Sequence, residues 1–183
     1  MVRTGPVYIL ALFSGLILFS GCSATYTHDV VNHPGVMLDR SKGVFISTPK
    51  NGWYGRTEYR DSGRMTANAV RAAFSRFTNT VTVSEECQSS ACLKLPAMER
   101  YGYYVEPQIL HWEDRATEWS GLPDKVEIKI IVYDAKAGNE IASSVLTGRS
   151  KWATFGGDHP QDLLPEPVTK YVDSLYRLET VER

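Results

Sequence analysis

The chain has 183 residues, of which 43% are hydrophobic and 22% charged, and its 20 Lys and Arg nearly balance its 21 Asp and Glu. This length suits one domain with its own core, and the many aromatic residues exclude an intrinsically disordered chain. A formal net charge of −1 provides no strong field for nucleic acid or anionic lipid, so no nucleic-acid partner is expected.

The N-terminal segment predicts export. Arg3 is the only charged residue before an apolar run, residues 7–19. This run is too short for a membrane-spanning helix of about 20 residues, but it suits the core of a cleavable signal, about 7–15 residues. A sequence of small residues, Ser20-Gly21, then leads directly to Cys22. We therefore expect residues 1–21 to be a lipoprotein signal peptide.

Cys22 is the expected site of lipidation, with palmitate among the attached acyl chains, and a plain secretory signal is the alternative. Ser23 follows the cysteine, where Asp would resemble the signal that retains lipoproteins at the inner membrane. The expected location is thus the outer membrane, lipid-anchored on its periplasmic face. Lipidation of Cys22 leaves Cys87 and Cys92, which we expect to form a disulfide in an oxidising compartment. Their spacing does not match the two-residue spacing of a redox motif.

The mature chain predicts one globular domain, residues 39–183, behind a flexible tether, residues 22–38, which contains His33-Pro34-Gly35 and little periodicity. Apolar residues at spacings of three and four predict a helix from about Asp61 to Phe77 and a second one near residues 167–177. Period-two patterns and β-branched runs predict strands. These strands cover residues 43–48, 80–84, 101–112, 125–133 and 140–152.

The order β-α-β-β-β-β-α predicts an α+β fold. It should form a two-layer sandwich, with a mostly antiparallel sheet of about five strands and both helices on one face. The first strand, helix and second strand suggest a βαβ unit. Residues 101–152 predict an antiparallel meander, in which Val126, Ile128, Ile130 and Val132 share one face.

Two motifs are distinctive beyond these patterns, HWEDRATEWSG at residues 111–121 and SKWATFGGDHPQDLL at residues 150–164. Together with residues 22–26 and 52–55, they resemble a family of small proteobacterial lipoproteins known only as a domain of unknown function. The resemblance covers nearly the whole mature chain, and it implies a compartment and a fold but no activity.

The layout of the central strands also distantly resembles a domain of the cell envelope. This domain is shared by the curli-secretion lipoprotein, by lipoprotein activators of penicillin-binding proteins, and by the amino-terminal part of the Tol-system propeller protein. The resemblance implies an envelope interaction module, although fold alone assigns no function.

An enzyme would require a catalytic or metal-binding set, and the candidates are His and carboxylate residues in the two motifs. They are His111, Glu113, Asp114, Asp158, His159 and Asp162. Their spacing places no third metal ligand, and Asp158 is better explained as a capping residue. We therefore expect a non-enzymatic protein without metal or cofactor, and a metal-dependent hydrolase is the least favoured alternative.

Aromatic residues near strand ends, interleaved with basic residues, favour a binding surface. The expected surface consists of Trp53, Tyr54, Trp112, Arg115, Trp119, Trp152 and Phe155. The alternative is that these aromatic residues close a small core. The expected function is a non-enzymatic interaction or assembly module with an envelope protein or glycan partner, and the runner-up is a glycan- or peptidoglycan-binding lipoprotein.

Overall fold

A computed structural model describes residues 24–35, 37–115, 122–150 and 159–177. These residues form a six-stranded sheet with two helices packed on one face, and a separate two-stranded hairpin. This architecture is the predicted α+β two-layer sandwich. None of the helices among these residues is both long enough and apolar enough to cross a membrane.

The sheet is mixed, and its spatial order is β1-β8-β7-β6-β2-β5. Its strands are β1 (Thr25–Asn32), β2 (Val44–Ser47), β5 (Val81–Ser84), β6 (Tyr103–Glu113), β7 (Lys125–Asp134) and β8 (Glu140–Arg149). The hairpin consists of β3 (Gly52–Tyr54) and β4 (Thr57–Tyr59). The helices are α1 (Ser62–Phe74) and α2 (Pro165–Tyr176), and three short 3-10 helices cover Ser90–Lys94, Pro96–Arg100 and Pro160–Leu163.

The predicted βαβ unit and meander are both present. Strand β2 pairs in parallel with β5, which follows it after α1, and also in parallel with β6. Strands β6, β7 and β8 form the antiparallel meander. Pro107 lies in β6 beyond Val105, the last residue that pairs with β2. Strand β2 therefore requires no backbone N–H from position 107, and proline is tolerated there.

Strand β1 is the main difference from the predicted layout. Residues 22–38 were expected to be a tether, whereas residues 25–32 pair antiparallel with β8 and form an edge of the sheet. The pairing relies on backbone hydrogen bonds, and only alternate side chains such as Tyr26 and His28 are partly buried. A strand of this kind needs few apolar residues, so the sequence pattern contains little signal for it.

The main core lies between the sheet and the two helices. Residues Val126, Ile128, Ile130 and Val132 are buried as predicted, against Val70 and Phe74 of α1 and Val168 and Tyr171 of α2. These helical positions recur at spacings of three and four, which places them on one helix face. Burial of this face therefore holds both helices on the same side of the sheet.

A smaller core lies on the opposite face of the sheet, near the start of β6. Phe45 and Tyr104 pack there with Met98 and Cys87. Cys87 and Cys92 lie at disulfide distance, with Cα atoms 5.9 Å apart, which confirms the predicted pair. The disulfide thus fixes the short 3-10 segment that covers this part of the sheet.

Candidate functional site

The hairpin β3–β4 packs against the C-terminal part of β6. A Cβ atom added to Gly52 would come within 2.5 Å of the Cβ atom of Trp112 and 3.0 Å of Ile109. Only glycine therefore allows β3 to approach β6 this closely. This contact places Trp53 and Tyr54 beside the end of β6. We call the region formed by Trp53, Tyr54, His111, Glu113 and Arg115 the aromatic end of the sheet.

Glu113 is the centre of a polar network at the aromatic end. Its side chain is 2% exposed, and it forms an ion pair with the guanidinium of Arg115. The second carboxylate oxygen, Oε2, lies 3.0 Å from His111 Nε2. Burial acts to raise the pKa of Glu113, but hydrogen bonds from His111, Tyr54 and Arg115 and the positive charge of Arg115 outweigh it. The pKa of Glu113 is therefore lowered, and the carboxylate is charged at neutral pH.

Tyr54 is held in place by this network. Its hydroxyl accepts a hydrogen bond from Arg115 Nη2 at 3.3 Å, and the Arg115 Cζ atom lies 5.7 Å from the centre of its ring. The ring also contacts His111 edge-on, with 5.5 Å between ring centres. Cation–π and edge contacts of this kind orient a ring without burying it. Tyr54 thus remains 42% exposed, and its neighbour Trp53 is 59% exposed.

Asp124 forms hydrogen bonds with Arg115 and Ser150 at the aromatic end. Its Oδ1 atom accepts a hydrogen bond from the backbone N–H of Arg115 at 2.5 Å. Its own backbone N–H donates to Ser150 Oγ at 2.8 Å, and its carbonyl accepts from the Ser150 N–H at 3.0 Å. Burial is the main cause that raises the pKa of Asp124. These bonds join the residue before segment 116–121 to the residue before segment 151–158.

Those two segments contain Trp119, Trp152 and Phe155, which lie outside the described residues, as does Asp158. The sequence predictions for these four residues therefore stay predictions. The same applies to Cys22 and the signal segment that precedes it.

Trp112 is placed differently from the other predicted surface residues. It is 2% exposed and packs in the main core with Val126 and Leu163. This position corrects the prediction that Trp112 belongs to an accessible binding surface, and it agrees with the alternative in which an aromatic residue closes the core. The physical reason is a register shift in β6 between Ile109 and His111, which turns the Trp112 side chain to the helix-covered face.

The candidate acid–base residues form two separate pairs. One is the His111–Glu113 pair, and the other joins His159 Nδ1 and Asp114 Oδ1 at 3.4 Å. Asp162 accepts a hydrogen bond from the backbone N–H of His159 at 3.1 Å, which is a capping role. Across the described ranges, no three His, Cys, Asp or Glu side chains are arranged to hold a metal ion.

Sequence reasoning did not identify Asp124, Ser150 or Tyr59 as members of this region. The Tyr59 hydroxyl lies 3.3 Å from both the carbonyl oxygen and the backbone nitrogen of Asp114. These contacts use backbone atoms and join residues that are 9, 26 and 55 positions apart in the chain. No periodicity or motif in the sequence predicts such contacts.

Comparison with known proteins identifies a family whose model matches this chain and solved structures that have a similar fold. The model of a family described as a domain of unknown function (DUF4823) matches residues 36–175. The PelC dodecamer from Paraburkholderia phytofirmans has a similar structure, with a TM-score of 0.63 and 13% identity over 86% of this chain and 100% of that chain. A second PelC dodecamer, a variant from the same organism, gives a TM-score of 0.60 and 13% identity over 84% of this chain and 98% of that chain.

Protein XCC0632 from Xanthomonas campestris, of family DUF330, has a TM-score of 0.46 and 11% identity, over 80% of this chain and 88% of that chain. A search of curated proteins finds no significant match. The likeness to the two PelC structures, at 13% identity, establishes the fold alone.

Proposed function

Since the chain belongs to the DUF4823 family, whose domain has no known function, we propose a role from its own residues. The protein is an outer-membrane-anchored periplasmic lipoprotein that acts as a non-enzymatic interaction or assembly module in the cell envelope. The signal segment and Cys22 support the anchor and the location.

The observation that carries the proposal is the exposure of Trp53 and Tyr54 on a well-supported hairpin. Large aromatic side chains are usually buried, and a neighbouring exposed pair is typical of contact surfaces. Here the hairpin is fixed by the close approach of Gly52 to β6, and Tyr54 by Arg115. The hairpin and the Tyr54 ring are thus held by contacts within the protein, and such preorganisation lowers the entropy cost of binding.

The chemistry of Glu113 supports a structural role for the polar network. A general base needs a carboxylate that is free to accept a proton from a substrate. Both carboxylate oxygens of Glu113 are instead engaged by Arg115 and His111, and the side chain is buried. These contacts suit a residue that orders its neighbours.

The likeness to PelC bears on the kind of assembly. The PelC structures are dodecamers, and we include association with further copies of this chain within the proposed assembly role. Native mass spectrometry of the detergent-solubilised protein measures this directly. A strictly monomeric protein over the whole accessible concentration range would remove self-association from the proposal.

Glycan binding is the second candidate function, since exposed Trp and Tyr rings beside Arg also suit stacking on sugars. Trp53→Ala should abolish retention on peptidoglycan or oligosaccharide fragments if this candidate is correct. Unchanged retention by this variant would exclude glycan binding at the aromatic end.

Site-specific photo-crosslinking in membranes tests the main proposal. A benzophenone amino acid replaces Trp53 in one variant and Leu95 in a matched control. Leu95 is 44% exposed, but it lies between the 3-10 helices that pack near the start of β6. We expect the benzophenone at position 53, and not the one at position 95, to form a covalent adduct with another component of the cell envelope. Mass spectrometry identifies that component. The absence of any adduct at position 53 would overturn the proposal.

A further inference from the structure

The register of three neighbouring strands fixes where the N-terminal end of β1 lies. Thr25, the first residue of β1, pairs with Arg149 of β8. Arg149 pairs with Lys125 of β7, which in turn pairs with Glu113 of β6. The first residue of β1 therefore lies at the same end of the sheet as Glu113, which is the aromatic end.

The chain between this point and the lipid is very short. Cys22 precedes Thr25 by three residues, which span at most about 11 Å when fully extended. A tether over residues 22–38 would instead place the domain roughly 20 Å from its anchor on average. The pairing of β1 thus removes most of the expected tether and brings the anchor next to the aromatic end.

We propose that the aromatic end docks on the phospholipid head-group region of the membrane that holds the lipid of Cys22. The inference rests on the lipidation in the proposed function, and it names the partner of the same surface. Trp and Tyr favour the interface between membrane and water, where an amphipathic ring contacts both head groups and acyl chains. Among the residues that the structure describes, Trp53 and Tyr54 are an exposed aromatic pair at this end of the sheet.

The charged groups around the aromatic pair are compatible with phospholipid. Arg56 in the hairpin turn and Arg149 at the end of β8 are exposed, and Arg115 lies against Tyr54. Juxtamembrane basic side chains are attracted to anionic head groups. Glu58 opposes this attraction because it lies across the hairpin from Trp53, but its carboxylate accepts a hydrogen bond from Asn51 at 3.0 Å.

Docking would add a second membrane contact to the lipid. Acyl chains alone hold a domain without fixing its orientation, and a nearby surface contact strengthens anchoring. In the docked orientation, the Cys87–Cys92 disulfide and the turn between β7 and β8 lie at the end of the sheet away from the membrane. These parts then face the periplasm.

Fluorescence quenching by brominated phospholipid tests the docking. The lipidated full protein is reconstituted in vesicles of phosphatidylethanolamine and phosphatidylglycerol, with or without bromine near the head groups. The difference in emission between the wild type and Trp53→Phe isolates Trp53 from the other tryptophans. A second variant, Trp53→Phe with Lys136→Trp, places a tryptophan in the turn between β7 and β8, at the opposite end of the sheet.

We expect brominated vesicles to quench the emission of Trp53 and to leave the tryptophan at position 136 unquenched. Equal quenching of the two, or none at Trp53, would overturn the docking. If Trp53 is unquenched but its crosslinker captures an identified protein, the surface binds protein, so the docking inference fails while the proposed function stands. The intact mass of the purified protein tests the premise that the two share, because a mass without the lipid would refute both.

Discussion

The contrast between Trp112 and Trp53 gives the sharpest test of which aromatic residues form the core. Trp112 is 2% exposed and packs in the main core, whereas Trp53 is 59% exposed on the hairpin. A buried aromatic side chain removes about 150–250 Å² from water, and truncation of such a residue to Ala typically costs about 3–5 kcal/mol. We expect Trp112→Ala to lower the free energy of unfolding by this amount.

Trp53→Ala should cost much less, because a mostly exposed side chain leaves no enclosed cavity and surface substitutions usually stay within about 0.5 kcal/mol. Urea unfolding followed by circular dichroism measures both variants on the same scale. The reasoning requires the two losses to differ by at least about 2 kcal/mol. Equal losses, or a larger loss for Trp53→Ala, would refute the assignment of Trp112 to the core.

Three further predictions concern the polar network, the disulfide and the hairpin. The pKa of Glu113 lies below its ordinary value of 4.5, so the folded state binds fewer protons than the unfolded state. Its contribution to the free energy of unfolding should be lost as pH falls from about 4.5 through the lower folded pKa, and Glu113→Gln should flatten this loss in urea titrations carried out at stepwise lower pH from about pH 5. Reduction of the Cys87–Cys92 bond should add the mass of two hydrogens and lower the free energy of unfolding by about 2 kcal/mol, since the closed ring is small; an unchanged mass would contradict the bond. Gly52→Ala should cost about 1–3 kcal/mol through overlap with Trp112, and an unchanged midpoint in thermal unfolding would contradict the close packing of β3 on β6.

The regular elements could be predicted because their burial is periodic. Helix α1 and strand β7 bury one face each, and this produces spacings of three and four in α1 and of two in β7. The antiparallel meander could be predicted because short turns join its strands, such as the turn at Gly138, where φ is +72°. In these cases the local sequence and the core require the same structure.

The edge strand β1 and the orientation of Trp112 could not be predicted in the same way. Strand β1 is held by backbone bonds to β8, and any residue except Pro can make such bonds. Trp112 faces the core only because a bulge beside Leu110 shifts the alternation of β6 by one residue. A pattern of residue types does not contain this shift, so a regular alternation was expected through the end of the strand.

The ion pair of Glu113, which is buried, and Arg115, which is partly exposed, is best explained by what it orders. Removal of the Glu113 carboxylate from water costs free energy that offsets its attraction to Arg115, so the pair contributes little net stability. The pair does, however, fix the guanidinium that contacts Tyr54, while the backbone N–H of Arg115 binds Asp124. One ion pair thus orders both the exposed ring on the hairpin and the end of β6. Because β1 starts at this same end, the network orders the surface nearest the proposed anchor at Cys22.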